Sequence, residues 1–217
     1  MSKLDTINHI LAEKLIVIMR GYSLDEGLRA VDAMAKGGVS LVEVTFDQTG
    51  KTPLSATTEL ISAIAARGDI CVGAGTVMTP EQVELAAAAG AKYIISPDSC
   101  EAVIRRTVEL GLVSIPGAMT PTEAANAHRW GADFVKLFPV GEMGPSYLKA
   151  VAAPLAHIRF LAVGSVRENN MAEYMAAGAL GAGVGAGSIA PKAALAAGDA
   201  DTIAANAGRY LALAKGE

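Results

Sequence analysis

Residues 90–139 read GAKYIISPDSCEAVIRRTVELGLVSIPGAMTPTEAANAHRWGADFVKLFP, and within them one unit recurs. A glycine (Gly90, Gly111, Gly131) precedes a short β-branched or apolar run, which leads through a turn into a helical stretch. Such a glycine suits the left-handed residue that commonly follows a helix end. The helix starts are marked by Asp98-x-x-Glu101 and Thr120-Pro121-x-Glu123, where a capping side chain stands three residues ahead of a glutamate. Working outward, Gly38 and Gly178 repeat the glycine signal, and Ser23-x-x-Glu26 and Thr79-Pro80-x-Gln82 repeat the cap. The pattern predicts strands at 15–19, 40–46, 70–74, 92–96, 112–115, 133–138, 158–163 and 181–185. Helices fill the gaps, as where Leu24, Leu28, Val31 and Ala35 follow helical spacing. An extra helix, Lys3 to Ala12, precedes the first strand, and Asp201 to Lys215 closes the ring. The expected architecture is a single-domain (β/α)8 TIM barrel over residues 1–217. An open doubly wound sheet is the alternative, disfavoured because Met19-Arg20-Gly21-Tyr22 stands where a Gly-x-Gly-x-x-Gly fingerprint would follow the first strand.

Composition agrees with a packed α/β interior. Apolar residues make up 52% of the chain and aromatic ones only 5%, so the core must be aliphatic and alanine-rich. No apolar run approaches a membrane span, and Met1 to Lys14 is polar and acid-containing, unlike a signal peptide; a cytoplasmic location is expected. A net charge of −4 without a lysine-rich run argues against nucleic acid and anionic membranes as partners. Cys71 and Cys100 lack metal or redox spacing and read as small apolar fillers. His9, His128 and His157 fall away from strand ends, which disfavours a histidine-based metal site.

In such a barrel, chemistry gathers at the carboxyl ends of the strands. Strand alternation puts Phe134, Lys136 and Phe138 on one face and Val135 and Leu137 on the other. An ammonium between two phenylalanines is partly desolvated, which lowers its pKa toward the range where a free amine attacks a carbonyl. The same alternation turns Glu43 and Thr45 inward and Val42, Val44 and Phe46 toward the helices. A carboxylate and an amine on inward faces form a catalytic pair or, alternatively, a buried ion pair with only a structural role. Gly73-Ala74-Gly75-Thr76 lets backbone approach a ligand and offers a hydroxyl to a carboxylate, or is simply a tight turn. Small residues after the seventh and eighth strands, Gly164-Ser165 and Gly185-Ala186-Gly187-Ser188, fit the recurrent phosphate site of these barrels.

As an ordered set, Val42-Glu43-Val44-Thr45, Val72-Gly73-Ala74-Gly75-Thr76-Val77, Ile95-Ser96-Pro97, Ile115-Pro116-Gly117 with Thr120-Pro121-Thr122-Glu123, and Val135-Lys136-Leu137-Phe138-Pro139 resemble the 2-keto-3-deoxy-6-phosphogluconate and 4-hydroxy-2-oxoglutarate (KDPG/KHG) aldolases. The resemblance spans nearly the whole chain. It implies a class I aldolase in which Lys136 forms a Schiff base with a pyruvyl carbonyl and Glu43 shuttles protons. Thr76 and Pro97 would line the pyruvate pocket with Phe138 beside it, and Gly164, Ser165, Gly187 and Ser188 would hold the phosphate. No metal or cofactor is implied, and a homotrimer is. The implied reaction is cleavage of 2-keto-3-deoxy-6-phosphogluconate to pyruvate and glyceraldehyde 3-phosphate, with 4-hydroxy-2-oxoglutarate, giving pyruvate and glyoxylate, as a further substrate.

Two departures bear on the substrate. Gluconate-type enzymes usually carry a carboxylate-gripping arginine where this chain has Asp47, so that task falls to Arg20. They also usually end the seventh strand in threonine and paired glycines, where this chain has Val163-Gly164-Ser165. Valine there resembles the branch acting on 2-keto-3-deoxy-6-phosphogalactonate, the C4 epimer, as does Gly144-Pro145 followed by Tyr147-Leu148-Lys149. The alternative is therefore a galactonate-type aldolase or one indifferent to the epimer. Two other classes compete: a phosphate-binding barrel isomerase or epimerase, which normally needs two acids or metal ligands at strand ends, and a non-catalytic sugar-phosphate sensor.

Overall fold

In a computed structural model that describes residues 1–217, the repeated unit becomes alternating parallel strand and helix. The strands are β1 (Leu15–Met19), β2 (Leu41–Thr45), β3 (Cys71–Gly75), β4 (Tyr93–Ile95), β5 (Val113–Ile115), β6 (Gly117–Ala118), β7 (Val135–Leu137), β8 (Phe160–Val163) and β9 (Ala182–Gly185). Eight strands were expected and nine segments are found, because Pro116, which has no N–H to give a ladder, divides the fifth into β5 and β6. The strand order is β5-β4-β3-β2-β1-β9-β8-β7-β6, with every pairing parallel. The two ends of that row meet. The Phe134 N–H donates to the Ser114 carbonyl (3.2 Å) and the Lys136 N–H to that of Pro116 (2.9 Å), so the strand containing β7 spans both halves of the divided one. The ring is the TIM-like barrel expected, not an open sheet.

The helices are α1 (Lys3–Glu13), α2 (Leu24–Lys36), α3 (Leu54–Ala65), α4 (Pro80–Ala88), α5 (Glu101–Glu109), α6 (Pro121–Arg129), α7 (Gly144–Ala152), α8 (Met171–Ala176), α9 (Ala186–Ile189), α10 (Lys192–Ala197) and α11 (Ala200–Lys215). Ser23, Thr79 and Thr120 cap α2, α4 and α6 as their spacing predicts, each accepting from the backbone N–H three residues on. Asp98 does not cap α5, which starts at Glu101 behind Cys100. The Asp98 carbonyl accepts instead from the Gly117 N–H (3.1 Å), and the Ser99 hydroxyl donates to the Gly117 carbonyl (2.6 Å). Those bonds tie residues 97–99, which bend at Pro97 and Asp98, to β6, so the chain turns into helix later than the cap signal suggests. All five glycines expected to be left-handed have positive φ.

Alternation along the strands produces two apolar layers. The inner one contains Ile16, Leu41, Cys71, Tyr93, Ile95, Val113, Ile115, Phe134, Leu161 and Val163. Ile10 of α1, flanked by Ile7 and Leu11, packs into the same cluster and closes the barrel at the strands' amino ends. The outer layer, including Val17, Val42, Val44, Val72, Val135, Leu137 and Val184, faces the helices. The extra helix is thus a plug, and the barrel opens at the carboxyl ends alone. Cys71 fills the interior, its thiol pushed up by burial to about 11, while Cys100 is half-buried. No helix is long and apolar enough to cross a membrane.

Candidate active site

Glu43 and Lys136 are the only buried residues with charged side chains in the chain, at 1% and 6% exposure. Both belong to the inward set by strand parity: Glu43 follows Leu41 on β2, and Lys136 follows Phe134 on β7. Parity alone would leave each in the packed interior. Room for Glu43 comes from Gly75 of β3, whereas Gly117 of β6, in register with Lys136, lets the chain close against the Pro97 carbonyl.

Gly73 and Gly75 have a different task from the one their sequence suggested. A Cβ on Gly75 would fall onto the Glu43 carboxylate, and one on Gly73 onto the Tyr93 ring. These glycines admit side chains from adjacent strands rather than a ligand. The Tyr93 hydroxyl donates to the Val42 carbonyl (2.6 Å), fixing the ring beside the peptide that precedes Glu43.

A cavity of about 410 Å³ opens above this floor at the carboxyl ends of the strands. Of the residues singled out in the sequence, Lys136, Arg20, Thr76, Pro97, Phe138, Val163, Gly164, Ser165 and Gly187 line it. Glu43 lies buried beneath the lining, and Ser188 is exposed in α9 outside it. Lys136 has no ion-pair partner; its Nζ lies 4.6 Å from the centroid of the Phe138 ring, a cation–π distance. Burial pushes the Lys136 amine below the usual lysine range; Glu43 opposes this and the Arg20 charge adds to it. Burial likewise pushes the Glu43 carboxyl above the usual carboxylate range, against the pull of Lys136 and Arg20. The site therefore joins an amine biased toward its free base to a carboxyl group biased toward holding its proton.

At the rim, Arg20 Nη2 donates to the Thr76 hydroxyl (3.0 Å). Asp47 stays out of the cavity: its carboxylate accepts from the N–H and hydroxyl of Thr49 and the N–H of Thr52, each at 2.9 Å. Those bonds hold it down at about 2 and shape the loop after β2. On the opposite side, Gly164 and Ser165 meet Gly185, Ala186 and Gly187 around a recess, and Lys192 joins them at the head of α10. Sequence reading missed Lys192, although it is the only basic residue between β9 and α11. Tyr22 and Ile18, also in the lining, carry no separate sequence signal. His9 bonds Ser40 (2.7 Å), and His128 and His157 contact each other; none reaches the cavity.

The barrel and its buried amine–carboxylate pair define the class: the protein is an aldolase, an aldehyde-lyase on a (β/α)8 scaffold. Residues 7–206 match the family described as "Aldolase: KDPG and KHG aldolase", and the chain belongs to that family. It is 41% identical over 173 residues to 2-dehydro-3-deoxy-6-phosphogalactonate aldolase of Escherichia coli (strain K12), covering 79% of this chain and 82% of that protein. Over 165 residues it is 34% identical to 2-dehydro-3-deoxy-phosphogluconate aldolase of Treponema pallidum (strain Nichols), covering 75% and 76%. A solved structure described as "Native KDPGal structure" superposes with a TM-score of 0.81 at 34% identity, over 93% of this chain and 94% of that one.

Proposed function

We propose that the protein cleaves a 2-keto-3-deoxy-6-phosphohexonate to pyruvate and glyceraldehyde 3-phosphate through a Schiff base on Lys136. The observation that carries this reading is an unpaired, buried amine that lines a cavity and lies near enough to the chain's single buried carboxyl group for each to shift the other's titration. An isomerase using two acids has no second acid here, and gives Lys136 no task.

In the proposed cycle the Lys136 amine attacks the C2 ketone and water leaves, forming an iminium. Glu43, through a water, accepts the C4 hydroxyl proton; the C3–C4 bond breaks, its electrons pass into the iminium, and the aldehyde departs. The enamine left on Lys136 takes a proton at C3 and is hydrolysed to pyruvate and free lysine. Arg20 and Thr76 hold the substrate carboxylate, Pro97 and Phe138 wall the pyruvyl end, and Gly164, Ser165 and Gly187 with Lys192 take the phosphate, without Ser188, which lies outside the cavity. Nothing in this cycle draws on a cofactor.

Val163 favours a particular substrate range. It presents only methyl groups to the cavity, so no hydroxyl at this point distinguishes one C4 configuration from the other. The galactonate epimer is therefore taken at least as well as the gluconate, and the similarity to the Escherichia coli galactonate enzyme supports the same order. The smaller 4-hydroxy-2-oxoglutarate is a secondary substrate. The test is kcat/KM for both epimers in wild type and Val163→Thr. A gluconate preference of tenfold or more in wild type refutes this order, and an unchanged ratio in the variant places epimer selection elsewhere. The family resemblance also supports a cytoplasmic homotrimer, which sedimentation and fractionation check.

A further inference from the structure

Thr76 is held in an unusual conformation. Its φ is +53°, in the left-handed region where a β-branched residue is a genuine outlier, although glycines immediately precede it in the sequence. Such a conformation persists only where the surroundings over-determine it. The surroundings here are two glutamines. The Gln48 amide donates one hydrogen to the Thr76 carbonyl (2.8 Å) and reaches the Gln82 side-chain oxygen with the other (3.5 Å). That same Gln82 oxygen accepts from the Met78 N–H (2.7 Å), and the Gln82 residue is buried in the first turn of α4. The chain of contacts runs from α4 through Gln82, Gln48 and Thr76 to Arg20 at the cavity rim. Gln48 is itself delivered by the loop that Asp47 ties together.

We infer that Gln48 and Gln82 are positioning residues for the substrate carboxylate: they lock Thr76 in its strained conformation so that its hydroxyl and Arg20 form one preset grip. The inference rests on the proposed aldolase reading. Locking the backbone through its carbonyl leaves the Thr76 hydroxyl free to accept from Arg20 and donate its own hydrogen to an incoming carboxylate. A grip used equally in the ground and transition states affects substrate affinity more than turnover.

The test is borohydride trapping of pyruvate on the full chain, with the half-saturating pyruvate concentration and the maximal adduct yield read separately by intact-protein mass spectrometry. Gln48→Met keeps the side chain's length and removes its donors. It should raise the half-saturating concentration about three- to tenfold, the range of one hydrogen bond, while the maximal yield and the melting temperature stay near wild type. Gln48→Glu sets a carboxylate oxygen against the Thr76 carbonyl and should do worse than methionine. An unchanged half-saturating concentration in Gln48→Met, or a Gln48→Glu variant no weaker than Gln48→Met, overturns the inference. Wild type that forms no adduct removes the aldolase reading and this inference with it; adduct with unaltered half-saturation in the variants removes this inference alone.

Discussion

Gly75→Ala probes the amine–carboxylate pair without touching either member. A Cβ at this position would stand 2.5 Å from Glu43 Cγ and closer still to the carboxylate, where ordinary contacts begin near 3.4 Å. Glu43 must therefore withdraw by about 1 Å, on a buried strand with little slack. Overpacking of this kind costs about 1–3 kcal/mol. At about 2–4 °C per kcal/mol for a chain of this size, Tm should fall by about 2–12 °C. The effect on rate is larger, since a 1 Å misplacement of a reacting group is worth about 100-fold. The phosphate loops lie on other segments but Thr76 of the carboxylate grip adjoins Gly75, so kcat falls steeply, KM rises to a smaller extent, and pyruvate still forms an adduct because Lys136 is intact. Pyruvate release coupled to lactate dehydrogenase, with a thermal melt alongside, measures both. A variant with the lowered Tm but a kcat within threefold of wild type would refute the role given to Glu43.

Lys192→Met should raise KM for the 6-phosphorylated substrates and leave 4-hydroxy-2-oxoglutarate turnover unaltered; equal effects on both would take Lys192 out of the phosphate site. Arg20 helps to hold the Lys136 amine low, so Arg20→Met removes a like charge and raises the pKa of Lys136. The pH midpoint for the initial rate of pyruvate trapping at saturation should then move upward, and a downward move would contradict the electrostatic account. Gly208→Ala serves as a stabilising control: this α11 glycine has negative φ, and its Cβ would meet nothing nearer than the Gly37 carbonyl at 3.9 Å. The substitution should add about 1 kcal/mol of helix propensity and raise Tm by about 2–4 °C without altering kcat, as a paired melt and activity measurement checks.

Local signals in the sequence carried the barrel and its two central residues. Period-two alternation in Leu41 to Phe46 and Phe134 to Phe138 was enough to turn Glu43 and Lys136 inward, because a strand between a plugged interior and a helix layer leaves its side chains two directions only. The capping spacings at Ser23, Thr79 and Thr120 worked for the same local reason. Asp98 failed because partners distant in sequence, at Gly117, engage the segment that would have turned. The use of Gly73 and Gly75 as space for Tyr93 and Glu43 was equally illegible, since it depends on strand register. Lys192 and the Gln82–Gln48–Thr76 chain belong to this class too: each joins loops that the pairing of neighbouring strands brings together.

The central claim is that Lys136 is the nucleophile. Its most direct test is incubation of the folded protein with pyruvate and borohydride, followed by intact mass and peptide mapping, in wild type and Lys136→Ala. The account predicts one reduced-pyruvate adduct per chain, mapped to Lys136 and absent from a variant that is folded and without aldolase activity. No adduct on folded wild type, an adduct on another lysine, or near-normal turnover in Lys136→Ala would contradict it.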